Sequence, residues 1–167
     1  MPEENVEIVR DLFDAWNRGD LDALFREAGY GIDSDRTPPA SELENFSDVL
    51  AVYDPEVEIQ SPPGGLNAGT YHGHEGLLKL MYEFWSQFDE RRSELKECAP
   101  AGGDRVITTV FHHARGKLSG VEVEMWQHHV WTLRDGKVVR WQMFVNREEA
   151  LEAAGLSEVE TKRIPNK

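Results

Sequence analysis

Two pairs of adjacent histidines, His112–His113 and His128–His129, are the residues of this chain best suited to chemistry. Imidazole titrates near neutral pH and carries nitrogens that can donate or accept, so it moves protons, ligates metals or holds an anionic oxygen. The second pair lies in MWQHHVW (125–131), a run with the character of a strand. Successive side chains of a strand point to opposite faces, so the members of a pair cannot close on one metal ion. His112 and His129, one from each pair, can share a face. They lack an evident third ligand, however, and no His-Glu-x-x-His motif or spaced Cys/His cluster exists. His72 and His74 are separated by Gly73 at a turn. No metal site and no cofactor is expected.

The faces can be assigned from apolar content. In 121–134 the set Val121, Val123, Met125, Gln127, His129, Trp131 and Leu133 is the more apolar and is expected inside. Glu122, Glu124, Trp126, His128, Val130 and Thr132 face out. In the following strand the continuous apolar set is Val139, Trp141, Met143 and Val145. The two inner sets meet if the RDGK hairpin has a three-residue loop with Gly136 in a left-handed bulge; a two-residue turn would place Trp141 beside Val130. A tight GKLSG hairpin puts His113 beside Glu124 and Arg115 beside Glu122 outside, and His112 inside near Met125. Ser61 shares a face with Val57 and Ile59 and is expected to look inward.

These residues need elements to carry them. Val9, Leu12, Phe13 and Trp16 recur at helical spacing, which predicts a helix over 3–18 ending at Gly19. Asp20 caps a second helix bearing Leu21, Leu24 and Phe25. Residues 29–39 read as loop, and Ser41 with Glu44 forms a capping box for a short helix through Leu50. VEIQS (57–61) is a strand, TYHG a brief extended piece, and Leu77, Met81, Phe84, Trp85 and Phe88 mark a helix over about 75–90. Strands follow near 93–99, 104–116, 121–134 and 137–146, then a helix over 147–155 and a frayed tail after about 156. Helices followed by a meander of strands predict an α+β fold, a curved antiparallel sheet with helices on its concave side.

Composition bounds the rest. At 167 residues, with five Trp and seven Phe, the chain is expected to form one domain around a sizeable core. Its net charge of −13 disfavours nucleic acid and anionic membrane surfaces as partners. The single cysteine, Cys98, excludes an internal disulfide and fits a reducing cytoplasm. No apolar run approaches the roughly 18 residues of a membrane span, and the acidic N-terminus is unlike a signal peptide.

The ordered series NRGDLDAL, YDPEVEIQSP, TYHGHEGL, HVWTLRDGKVVRW and REEALEAAGL resembles the SnoaL-like branch of the nuclear-transport-factor-like superfamily. That superfamily includes ketosteroid isomerases, scytalone dehydratase and limonene epoxide hydrolase. The resemblance spans most of 5–156 and fails over about 27–46, read as an insertion or lid loop. It implies a cone-shaped α+β barrel enclosing an apolar pocket, usually as a homodimer. It also places His129 near the acid that hydrogen-bonds the substrate oxyanion in ketosteroid isomerases. The isomerase aspartate base corresponds to Ser61 here, and the isomerase tyrosine to Leu12, so steroid-isomerase chemistry is not expected.

His129 and His112 are therefore the candidate acid/base or oxyanion residues. Trp16, Tyr53, Ser61, Tyr71, Trp85, Gln127, Trp131, Trp141 and Met143 are the candidate lining of a pocket for a hydrophobic small molecule. Phe111, Trp126, Val130 and Phe144 are too apolar for open solvent and predict a homodimer through the outer face. Three readings stay open: a lyase, isomerase or cyclase acting on a small hydrophobic carbonyl compound, a non-catalytic binding protein, and a structural or partner-binding domain.

Overall fold

The computed structural model describes residues 2–19, 47–62, 68–85 and 87–156. The expected helix at Asp20, the loop at 29–39, the capping box at Ser41, the insertion at 27–46 and the C-terminal tail lie outside these residues. Helix α1 (Pro2–Arg18) buries Val6, Val9, Leu12 and Phe13 along one stripe. A short turn of helix, α2 (Ser47–Leu50), leads into β1 (Tyr53–Ser61). β2 (Gly69–His72) is followed by α3 (Gly73–Trp85) and then by β3 (Phe88–Pro100). β4 (Arg105–Gly116), β5 (Glu122–Arg134) and β6 (Lys137–Phe144) form the meander, and α4 (Arg147–Ala153) closes the described chain.

The strands build one six-stranded sheet in the order β2-β1-β6-β5-β4-β3. The pairing is mixed rather than wholly antiparallel, because β1 lies parallel to β6, with Ile59 opposite Trp141. The resulting α+β architecture carries α1 and α3 on the concave face, over a core that includes Phe13, Tyr53, Ile59, Leu77, Trp131 and Val138. Among the described residues no helix is long and apolar enough to cross a membrane.

Helix α3 stops at Trp85, short of the expected end at 90. Phe88 belongs to β3, opposite Gly116. Its ring still meets Phe84, with centroids 5.4 Å apart, but does so across the corner between helix and strand. Apolar spacing alone cannot distinguish that contact from one along a helix.

The β4–β5 register agrees with the expected one: His112 faces Met125, His113 faces Glu124 and Arg115 faces Glu122. The β5–β6 hairpin reaches the expected pairing of Trp131 with Trp141 by a different route. Asp135 and Gly136 both have positive φ, 52° and 77°, and Arg134 pairs with Lys137, which is a two-residue type I′ turn. The extra residue lies inside β6, where Thr132 pairs with Arg140 but Leu133 pairs with Val138. Val139 is bulged out, so Val138 rather than Val139 enters the core beside Leu133.

The convex face departs from expectation as well. Val130 is fully buried by its own chain, in a cluster with Ile107, Ala99, Ala150, Leu151 and Ala154, and Phe144 packs against that cluster. Helix α4, whose first turn is capped by the Asn146 side chain, supplies this cover. Val130 and Phe144 are thus not part of an open apolar face, whereas Trp126 remains 50% exposed beside Phe111.

Candidate functional site

The site grows from alternate residues of β5. Met125, Gln127 and His129 project from the concave face of this central strand, and Trp131 continues the row beneath them, fully buried. β4 contributes His112 and β6 contributes Trp141 and Met143. Together with Ser61 and Pro62 at the end of β1 and Leu80, Met81 and Phe84 of α3, they enclose a largely apolar cavity. It spans about 720 Å³, including the space open to solvent at its mouth. Trp16 of α1 stacks on Trp141, centroids 5.4 Å apart, and Trp141 stacks on Trp131 at 4.6 Å, which makes an aromatic floor.

A chain of hydrogen bonds crosses the wall of this cavity, and its direction follows from one residue that can only donate. The indole N–H of Trp141 donates to His129 Nδ1 at 3.2 Å. His129 is therefore neutral with its proton on Nε2, and that N–H lies 3.0 Å from Gln127 Oε1. Gln127 must then accept through this oxygen. The same oxygen lies 3.1 Å from His112 Nε2, so His112 also donates from Nε2. Its Nδ1 is left as an acceptor, 2.8 Å from the hydroxyl of Ser93. One indole thus orders two imidazoles, an amide and a hydroxyl.

Electrostatics agree with this direction. Burial holds His129 well below the ordinary imidazole range, and the neighbouring His112 and His128 add to that. Burial likewise pushes His112 down to about 4, against a smaller opposite effect of the bond to Gln127. A proton added to His129 Nδ1 would also meet the Trp141 N–H head-on. Both rings are neutral bases at neutral pH.

The arrangement changes which group faces a ligand. The expected oxyanion donor, His129, spends its N–H on Gln127. The Gln127 amide nitrogen has only the weak contact with Met125 Sδ, at 4.0 Å, in a residue 9% exposed. A nearly unsatisfied, buried amide donor on an apolar cavity is a place for a carbonyl or enolate oxygen.

The other expected residues are distributed as follows. Trp16, Ser61, Gln127, Trp141 and Met143 line the cavity with the two histidines. Tyr53 is fully buried in the core away from the cavity wall, and burial pushes its phenol well above the usual range. Tyr71 packs against the core and Trp131 lies below the floor, so neither reaches the cavity wall. The side chain of Trp85 lies outside the described residues. Ser93 is the polar residue that the sequence reading did not single out. β3 pairs with β4 so that Ser93 lies opposite His112, and a register for that pair would have identified it. The amide of Asn17 in α1 clamps the Ser93 backbone, at 2.8 Å to its carbonyl and 2.9 Å from its N–H.

On the convex side His128 is buried too, hydrogen-bonded to Thr109 at 3.1 Å. Arg147, at the start of α4, donates to Thr109 at 3.0 Å and to both carboxylate oxygens of Glu97 at 3.3 Å. The two histidines of MWQHHVW therefore serve separate networks on opposite faces of one strand.

A family model described as SnoaL-like domain matches residues 40–141. An NTF2-like protein of unknown function from Burkholderia pseudomallei K96243 superposes with a TM-score of 0.61 at 20% identity, covering 89% of this chain and 95% of its own. An NTF2-like protein from Burkholderia xenovorans LB400 superposes with a TM-score of 0.59 at 27% identity, covering 92% and 97%. A protein of Jannaschia sp. CCS1 described as a SnoaL-like polyketide cyclase gives 0.59 at 16% identity, covering 86% of each chain. No curated protein matches the chain in sequence.

Proposed function

Because the chain belongs to the SnoaL-like domain family, within the NTF2-like fold, we propose that it binds a small hydrophobic carbonyl compound and stabilises the enolate-type oxygen formed from it. Isomerisation, elimination and cyclisation all pass through such an oxygen, and the cyclase description of the Jannaschia protein belongs to this range. The observation that carries the reading is the Gln127 amide, held with its nitrogen toward an apolar cavity by two imidazole N–H groups on its oxygen. A preoriented amide among apolar side chains stabilises developing negative charge without having to reorganise.

Trp16 and Trp141, stacked on each other and backed by Trp131, favour a flat ligand. Among the described residues the cavity lining holds no carboxylate, which keeps an anionic oxygen free of repulsion from them. 2-Naphthol, whose ionised form imitates an enolate, is a direct probe. Its fluorescence reports both binding and the fraction ionised. Binding with a raised naphtholate fraction is expected; no binding, or the same binding by a Gln127→Leu variant, would remove the reading.

A binding protein without turnover remains the second reading, favoured by the serine and leucine standing where the isomerases carry aspartate and tyrosine (Ser61 and Leu12). Deuterium exchange next to the carbonyl of a cyclic enone, followed by NMR, separates the two. Exchange above the buffer rate marks an enzyme, and binding without exchange marks a carrier.

A further inference from the structure

The wall of the cavity contains an arrangement that the carbonyl-binding reading does not use. Ser93 Oγ lies 2.8 Å from His112 Nδ1, and His112 Nε2 lies 3.1 Å from Gln127 Oε1. The tautomers derived from Trp141 give these contacts a direction. The hydroxyl donates to the imidazole, and the imidazole donates to the amide oxygen. A hydroxyl, a base within hydrogen-bonding reach and a third group that orients the base form the constellation of an activated nucleophile. All three side chains line the same cavity.

We propose that Ser93 is a nucleophile for acyl transfer, accepting acyl groups from small apolar aryl esters or thioesters that enter the aromatic cavity. The proposal rests on the same site as the carbonyl-binding reading and extends it to a covalent step. Ser93 Oγ forms a bond to the carbonyl carbon while its proton passes to His112 Nδ1. The carbonyl oxygen, now negative, lies on the cavity side where the Gln127 amide nitrogen can donate. Collapse breaks the bond to the aryloxide or thiolate, which leaves with its electron pair and takes up the proton from His112. Water then attacks the acyl-serine, with His112 again taking the proton, and the carboxylic acid leaves with Ser93 restored.

Three further observations fit this step. The Ser93 backbone is held by both bonds to Asn17, so the hydroxyl is fixed relative to the base. The His112 imidazolium formed during transfer keeps a partner on each nitrogen, Ser93 and Gln127, whereas His129 cannot accept a second proton without facing the Trp141 N–H. His112 is unprotonated at neutral pH because burial holds it down to about 4. A base that weak assists only leaving groups that need little protonation, which restricts the substrates to activated acyl compounds.

p-Nitrophenyl acetate tests the inference. The intact protein is expected to release a burst of nitrophenolate equal to the protein concentration and to carry one acetyl group on the peptide containing Ser93. Ser93→Ala should lower the burst rate by about a hundredfold or more. To separate chemistry from misfolding, the thiol introduced by Ser93→Cys should react with iodoacetamide faster than a free cysteine, against the background of Cys98, which is buried and hydrogen-bonded to the Val6 carbonyl. Acetylation at any other residue, an undiminished burst in Ser93→Ala, or a slow introduced thiol would each overturn the proposal. Absent acylation with 2-naphthol binding intact would remove the nucleophile alone; loss of both would remove the carbonyl site as well.

Discussion

The indole nitrogen of Trp141 stands 3.2 Å from His129 Nδ1, and because an indole can only donate, this pair sets the polarity of the whole cavity wall. Trp141→Phe removes that donor while keeping an aromatic ring on the floor. His129 Nδ1 then becomes able to take a proton, so its titration should move upward toward the ordinary imidazole range. Two-dimensional proton–nitrogen NMR of the imidazole nitrogens would show it, and an unchanged His129 tautomer and titration would show that the indole does not set them. A stability loss of roughly 1–3 kcal/mol should accompany the change.

Gln127 is expected to separate donor from scaffold. Gln127→Leu leaves two imidazole N–H groups without an acceptor and removes the amide donor, so 2-naphthol affinity should fall by about tenfold, near 1.4 kcal/mol. Gln127→Glu restores an acceptor for both histidines but places an anion on the cavity. It should keep the fold, raise the titration of His112 and His129, and bind naphtholate no better than Gln127→Leu. Calorimetric titration of the three proteins checks the order.

Stability should fall in mild acid. Burial lowers His112 from 6.5 to about 4 and depresses His129 further, so the unfolded chain binds more protons than the folded one within that window. The contribution is complete above pH 6.5 and is lost as pH falls toward about 4. His112 alone accounts for on the order of 3 kcal/mol across it. Urea unfolding from pH 7 to pH 4 should show the midpoint falling, and Gln127→Glu should flatten that fall.

On the other face, Arg147→Ala should be among the costliest single changes away from the cavity. It leaves the Glu97 carboxylate, 6% exposed, without its partner, and Thr109 without a donor. A loss of about 3 kcal/mol is expected. The double variant Glu97→Leu with Arg147→Leu should lose less than Arg147→Ala alone, since no buried charge is then stranded. Denaturant midpoints of the two variants decide it.

Much of this molecule was legible in its residues, for physical reasons that differ from part to part. The period-two pattern of β5 placed His129 and Gln127 inside and His128 outside, because a buried face tolerates no slip by one residue. The short GKLSG hairpin gave the β4–β5 register, and with it the charged ladder of His113, Arg115, Glu122 and Glu124. Ser93 was not legible, since β3 carries an irregularity between Leu95 and Glu97 and its sequence is mostly charged, so no apolar stripe marks its register. Nor was the direction of the hydrogen bonds, which depends on distances between strands far apart in sequence. The cover over Val130 was missed for a related reason. Helix α4 was expected, but which face of the sheet it would cross is a tertiary matter.

The bulge at Val139 has a consequence for how this chain tolerates genetic change. Because Val139 is skipped in the pairing, Val138 and Trp141, three positions apart, both reach the concave side. Substitution at 139 by another β-branched residue should be nearly silent. Deletion of the Val139 codon would leave Val138, Arg140 and Trp141 in plain in–out–in alternation with their partners on β5 unchanged, so the aromatic floor should survive the loss of the residue. At this hairpin the strand holds one residue more than its pairing uses, a spare position at which the length of the chain can vary while the faces of the sheet stay as they are.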